Sequence, residues 1–252
     1  MTKESNLGII ILAAGKGTRM KSNKLKVMHE INNLPLIEYV MYTAEMLGTK
    51  LKPVVVVCND DPAVQDYLKN RATYVIQKER LGTGHAVMMA EEFLKGKVEN
   101  IVVLYGDMPF LSTNSIKKLV NKHLKKNNQL TLMTAEVSDF NDWRENFYDY
   151  GRVIRGGIKN YIVKIVEKKD ATEKQLRIKE VNTSLFCFNS DWLWNNLKKL
   201  NNNNKQGEYY LTDLVGLAFA EGQKLSSVAM DPKEAIGINT KEHLEKLGVE
   251  II

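Results

Sequence analysis

Asp107 closes an apolar run, ENIVVLYGD, and a carboxylate at the tip of a buried strand is a natural ligand for Mg²⁺ when phosphates are near. One aspartate cannot complete an octahedron, so the other positions would fall to water and phosphate oxygens. A second apolar run, LGIII, opens onto LAAGKGTRMK at 12–21. Leu12 is followed there by Ala13, Ala14, Gly15 and Gly17, residues that let backbone amides approach a base or phosphate closely. Arg19 and Lys26 can then neutralise phosphate oxygens. A third stretch, QKERLGTGHA, sets Gly82 and Gly84 around Thr83 just ahead of a helix, an arrangement suited to polar recognition. The chemistry these residues allow is the binding of a phosphorylated ligand. Each stretch also has a plain structural reading: a βα turn with surface charges, an aspartate capping the next turn, a threonine capping a helix.

Several other chemistries are disfavoured. GKGT lacks the spacer of a P-loop, and the third glycine of a dinucleotide fingerprint is replaced by Met20. His85 has no carboxylate in sequence to orient it as a base. Cys58 and Cys187 each lie inside an apolar run and read as buried free thiols, with no zinc spacing. Glu167, Asn182 and GEYYLTD (207–213) stand at strand or helix ends, where capping or turn roles would suffice. The net charge of +6 is spread among interleaved acids and bases, as on solvated helix faces, so no nucleic-acid partner is expected. MTKESN is no signal peptide and no apolar stretch is long enough to span a membrane, so a cytoplasmic protein without a membrane partner is expected.

The elements that must position these loops follow from periodicity. Strands are expected at roughly 7–12, PVVVVC, TYVIQ, ENIVVLY and QLTLMTAEV. Between them lie helical stretches: PLIEYVMYTAEMLG, DPAVQDYLKN, one continuous helix TGHAVMMAEEFLKG, and STNSIKKLVNKHLKK with a serine or threonine cap. Continuously apolar strands alternating with helices predict an α/β fold with a Rossmann-like, mostly parallel sheet covered on both faces. All three polar loops would leave its carboxyl edge, where such sheets bind ligands. After about residue 150 the strands RVIR, YIVKIVEK and VNTSLFCF alternate and turn sharply, predicting a smaller antiparallel lobe. Helices DWLWNNLKKL and YYLTDLVGLAFAEG, a strand LSSVAM and a final helix near TKEHLEKLG complete the chain.

Taken in order, LAAGKGTRM, QKERLGTGHAV, LYGDMPFLS, YGRVIR, IVEKKDAT, EVNTSLFCF, GEYYLTDLVGLA and GIN (237–239) resemble the bacterial N-acetylglucosamine-1-phosphate uridyltransferases, a family of sugar nucleotidyltransferases. The resemblance implies a Mg²⁺-dependent enzyme whose partners are UTP, N-acetylglucosamine-1-phosphate, UDP-N-acetylglucosamine (a cell-envelope precursor) and pyrophosphate. It implies nucleotide contacts from Leu12, Ala13, Ala14 and Gly15, and phosphate contacts from Arg19 and Lys26. Gln77, Gly82 and Thr83 would read the base, Tyr105 and Gly106 would line the site, and Asp107 with Asn239 would hold the metal. Gly151, Glu167, Asn182, Tyr210 and Thr212 would hold the amino sugar. Another sugar-1-phosphate, or a non-catalytic nucleotide-sugar-binding role, is the alternative.

The chain departs from the family pattern in places. Leu25 stands where the family usually has proline, which leaves Lys24 as a competitor for Lys26, and Ser184 stands where glycine is common. A single nucleotidyltransferase domain over 1–252 is expected, with a nucleotide-binding part at 1–138, a sugar-binding lobe at 139–239 and a C-terminal helix at 240–252. The left-handed β-helix acetyltransferase domain of the family is expected to be absent, and with it the trimer, leaving a monomer or weak dimer.

Overall fold

A computed structural model describes residues 6–15 and 17–240. Among these, nine strands form one mixed sheet: β1 (Leu7–Leu12), β2 (Val54–Cys58), β3 (Thr73–Gln77), β4 (Asn100–Tyr105), β5 (Leu130–Glu136), β6 (Arg152–Gly156), β7 (Tyr161–Val166), β8 (Glu180–Asn189) and β9 (Leu225–Ala229). The order is β9-β5-β8-β4-β1-β2-β3. The pairs β4-β1, β1-β2, β2-β3 and β9-β5 are parallel, and only β8 runs against its neighbours on this path. The β6-β7 hairpin joins β8 through the pair Val181 and Arg152. The expected mostly parallel sheet with an antiparallel addition is therefore present.

The centre of the sheet is LGIIIL and NIVVLY, apolar along their length because strands flank them on both sides and helices cover the faces. The chain steps outward from β1 through β2 to β3, then returns past β1 to β4. Right-handed crossovers place α1 (Leu36–Glu45) and α2 (Ala63–Leu68) on one face, and α3 (Thr83–Met88) with α4 (Glu91–Leu94) on the other. This reversal makes a crevice at the carboxyl ends of β1 and β4, whose last residues, Leu12 and Tyr105, are register partners.

The continuous helix expected over 83–96 is two short ones. Ala90 and Phe93 bond back three residues, to Val87 and Ala90, and these tighter turns interrupt the α-helical ladder. α5 (Thr113–Lys126) has the expected serine cap: Ser112 accepts from the Ser115 amide. Asn127 in the left-handed region ends it, and two lysines and His123 lie in its last turn. α6 (Glu173–Leu176), α7 (Ser190–Leu197) and α8 (Asp213–Ala220) follow. The helix expected at 240–252 lies, beyond Thr240, outside the described residues.

His123 of α5 is only 1% exposed, with Nδ1 3.0 Å from Thr131 Oγ1 and Nε2 3.1 Å from Asn100 Oδ1. Burial pushes its pKa down to about 4. The unfolded state then binds the extra proton between about pH 6.5 and 4. The stability contributed by the neutral ring is complete above that window and lost as pH falls through it, by up to about 3 kcal/mol. We expect urea midpoints at pH 7 and pH 4.5 to differ more for the native protein than for His123→Gln; equal differences would refute this.

Candidate active site

Two clefts meet at the β1–β4 crevice. The first, about 330 Å³, is walled by Leu12, Ala13, Ala14 and Gly15 after β1, by Gln77 at the end of β3, and by Gly82 and Thr83 at the start of α3. The second, about 230 Å³, lies toward the antiparallel side and is walled by Arg19, Gly151, Glu167, Ser184 and Asn239. Lys26, Tyr105 and Asp107 line both and form the seam.

At the seam the Lys26 ammonium contacts the Asp107 carboxylate and donates to Asn239 Oδ1 at 2.6 Å; the Lys26 and Asp107 side chains are 15% and 17% exposed. Arg19 donates to the same Asn239 oxygen at 3.1 Å and pairs with Asp149 at 2.7 Å. Asn239 reaches Asp107 because the Ile238 amide donates to the Asp107 carbonyl at 2.9 Å. Tyr150 fixes the same segment, donating to Ala235 O at 2.9 Å and accepting from the Gly237 amide at 2.8 Å. Gly17 holds Lys26 from below. It has φ of +62°, and a Cβ there would lie 2.5 Å from the Lys26 Cβ. Lys24 turns away, paired with Glu30 at 2.6 Å, so Lys26 is the lysine that faces the clefts.

The first cleft depends on a docked segment. Tyr209 N donates to Leu81 O and Gly84 N to Tyr209 O, both at 2.7 Å, and Leu211 N donates to Thr83 Oγ1 at 3.1 Å. Thr83 thus receives a distant amide, and the residue before α3 is Gly82, without a side-chain cap. Gln77 donates to Gly82 O at 3.1 Å and lies 3.1 Å from His85 Nδ1, which faces the loop. Arg80, which no sequence signal singled out, crosses the mouth, donating to Ala14 O at 2.9 Å and pairing with Asp60 at 3.0 Å.

Four expected residues, Gly106, Asn182, Tyr210 and Thr212, do not line these two clefts. Gly106 lies beneath, its amide donating to Leu12 O at 3.0 Å. Asn182, Tyr210 and Thr212 are buried one layer back. Thr212 donates to Glu167 Oε1 at 2.8 Å, Tyr210 to Asp170 at 3.1 Å, and the Asn182 amide to Gly151 O at 2.8 Å. These three brace the wall. Burial raises the Glu167 pKa; the Thr212 hydrogen bond opposes this, while Asp213, Asp170 and Glu208 add to it. Asp149, missed in the sequence, ties Arg19 to Lys168 (2.5 Å).

Two oxygens, from Asp107 and Asn239, converge on one cation, so the donor set suits a hard divalent ion that takes its other ligands from water and phosphate. Among the described residues no group of three or more His, Cys, Asp or Glu gathers for a metal. Cys187 is buried and its thiol pKa is pushed up by burial. The arrangement can align and neutralise anions.

A family model, the MobA-like NTP transferase domain, matches residues 9–176, a span that holds Arg19, Lys26, Asp107 and Glu167. The chain belongs to this family. Bifunctional protein GlmU of Desulfotalea psychrophila is 38% identical over 253 residues, covering 100% of the chain and 72% of the relative. Bifunctional protein GlmU of Acetivibrio thermocellus is 40% identical over 240 residues, 95% of the chain and 50% of the relative. The chain spans about half the length of the GlmU proteins of Acetivibrio thermocellus, Clostridium botulinum and Streptococcus uberis. The chain is an enzyme of the nucleotidyltransferase kind. Apo UDP-glucose pyrophosphorylase shares the fold, with TM-score 0.73 at 18% identity over 96% of this chain and 97% of that one. The complex of UDP-glucose pyrophosphorylase with UDP-glucose gives 0.72 at 19% identity, over 96% of each chain. No helix among the described residues is long and apolar enough to cross a membrane.

In this MobA-like domain Gly82 has φ of +101°, and a Cβ there would meet Tyr209 O at 2.7 Å and Glu208 Cβ at 2.8 Å. Gly82→Ala must therefore move the docked 208–211 segment or strain the loop. We expect a loss of about 2 kcal/mol or more by urea denaturation. A loss below about 0.5 kcal/mol, the range of ordinary surface changes, would show that the segment does not press on the glycine.

Proposed function

We propose that this nucleotidyltransferase makes UDP-N-acetylglucosamine and pyrophosphate from UTP and N-acetylglucosamine-1-phosphate, with Mg²⁺. The observation that carries the reading is the seam: two clefts share Lys26, Tyr105 and Asp107, so ligands in both would bring their phosphates together there. The NTP transferase domain and the relatives named GlmU support the transfer of a nucleotidyl group to a sugar phosphate.

In this reading the part up to about residue 138 binds nucleotide and residues 139–239 supply the sugar side. The Leu12–Gly15 backbone holds the nucleoside, and Gln77, Gly82 and Thr83 read the base. Glu167, set by Thr212, accepts hydrogen bonds from the sugar beside Gly151, while Asn182 and Tyr210 keep that wall in place. A phosphate oxygen of the sugar phosphate attacks the α-phosphorus of UTP. The bond from that phosphorus to the bridging oxygen breaks, and its electrons leave with pyrophosphate. The nucleophile is already ionised at neutral pH, so no general base is needed. Catalysis is alignment of two polyanions plus charge neutralisation by Arg19 and Lys26. Mg²⁺ held by Asp107 and Asn239 would supply further neutralisation where the two sets of phosphate oxygens meet.

The test is pyrophosphate release across a panel of nucleoside triphosphates and sugar-1-phosphates. UTP with N-acetylglucosamine-1-phosphate should give the highest kcat/KM. Asp107→Ala should lower kcat by about 10³-fold, the scale of losing one preorganised electrostatic group, with the folded state intact by circular dichroism. Near-normal turnover in that variant would remove the metal assignment, and no release with any pair would remove the reading.

A further inference from the structure

We propose that the Ser184 hydroxyl sets which sugar-1-phosphate the second cleft accepts, by hydrogen bonding a polar substituent of the sugar ring. The inference rests on the function proposed above. Ser184 has φ of +64°, a backbone conformation that glycine adopts freely and a side chain resists. It lies where the register of β8 against β5 shifts, between Asn182 and Phe186. The residues before it are fixed. Thr183 donates to Met133 O at 3.0 Å, and Asn182 is tied to Gly151 and accepts from the Ser184 amide at 3.2 Å. The serine cannot relax without breaking these bonds.

The strained turn places Ser184 in the wall of the second cleft, together with Gly151, Glu167 and the seam residues. Tyr105 lines the same cleft, and Asn182 Nδ2 approaches the Ser184 hydroxyl only at 3.5 Å. A hydroxyl offers one donor and two acceptor sites, so capacity remains for a ligand. A ring in this cleft would have Glu167 accepting on one side and Ser184 able to donate or accept on another. That combination suits an acylamino group, which carries its donor and its acceptor on separate atoms, better than a single hydroxyl. Strain kept at a cleft wall, where glycine would serve the backbone better, is the pattern expected of a side chain retained for its ligand.

The experiment compares the native protein with Ser184→Gly and Ser184→Ala. For each, kcat/KM is measured by pyrophosphate release with UTP and either N-acetylglucosamine-1-phosphate or glucose-1-phosphate, alongside the KM for UTP and the melting temperature. In both variants the ratio of the two kcat/KM values should fall at least about five-fold, the worth of one ordinary hydrogen bond. The KM for UTP should stay within about two-fold, an allowance far smaller than that loss. Ser184→Gly should melt no lower than the native protein, because strain is released. A ratio that stays put in either variant overturns the assignment, even if stability changes. A native protein inactive with both sugar phosphates would overturn the functional reading itself, and this inference with it, and that result is visible without either variant.

Discussion

The contact between Lys26 and Asp107 is the interaction on which the site's form depends. Both side chains are largely removed from water, and desolvating two charges is unfavourable unless geometry and extra hydrogen bonds compensate. Here they do. Asn239 accepts from Lys26 and Arg19, and Arg19 is paired in turn with Asp149. The members come from four parts of the chain: Arg19 and Lys26 from the loop after β1, Asp107 from the tip of β4, Asp149 from the stretch before β6 and Asn239 from the segment after β9. The pair therefore acts as a clasp across the β1–β4 crevice. It also keeps positive charge beside a carboxylate at the point where two anionic ligands would meet, a charge balance that a divalent ion and phosphates could replace without leaving a group unpaired.

The clasp needs the sheet's topology to exist. Only at the reversal between β1 and β4 do adjacent strand ends diverge into loops that fold away from each other and leave room between them. The antiparallel β8 then sets a second wall beside β4. Its irregular stretch at 182–186 faces the seam. The first cleft is closed differently, by the 208–211 segment bonding to the loop before α3 as a short extra strand would. The two walls could move independently, yet Glu167 and Thr212 link them, since the threonine that steadies the carboxylate directly precedes α8.

Much of this was legible in the sequence because period and composition are local. Runs such as LGIIIL and NIVVLY can only be buried strands, and loops rich in glycine after them mark the ligand edge. The helix over 83–96 was misread because its interruption at Ala90 carries no proline or glycine. Asn182, Tyr210 and Thr212 are buried and bonded to their neighbours, which a motif match does not show, since it fixes a position in the chain and not the direction of a side chain. Asp149 and Arg80 were invisible for a related reason. Asp149 meets Arg19 across 130 residues, and Arg80 meets Ala14 across 66, so only the folded chain shows what they do.

The stretch at 147–151, where a 3-10 helix (Asp142–Asp149) ends, raises the question of how Asp149, Tyr150 and Gly151 are kept in register with the seam. The answer is Arg152, fully buried and without a carboxylate partner among the described residues. Its guanidinium donates to the carbonyls of Tyr148, at 3.0 Å, and Tyr150, and it lies over the rings of Phe140 and Tyr148, 4.8 and 5.5 Å from their centroids. A lysine could not do this, because its point charge lacks the planar fork that satisfies several carbonyls at once and stacks on an aromatic face. The buried cation thus takes up carbonyls at the end of the 3-10 helix. It fixes the stretch from inside while Asp149 faces outward to Arg19 and Lys168, so the charges of the site are positioned by a charge the ligand never meets.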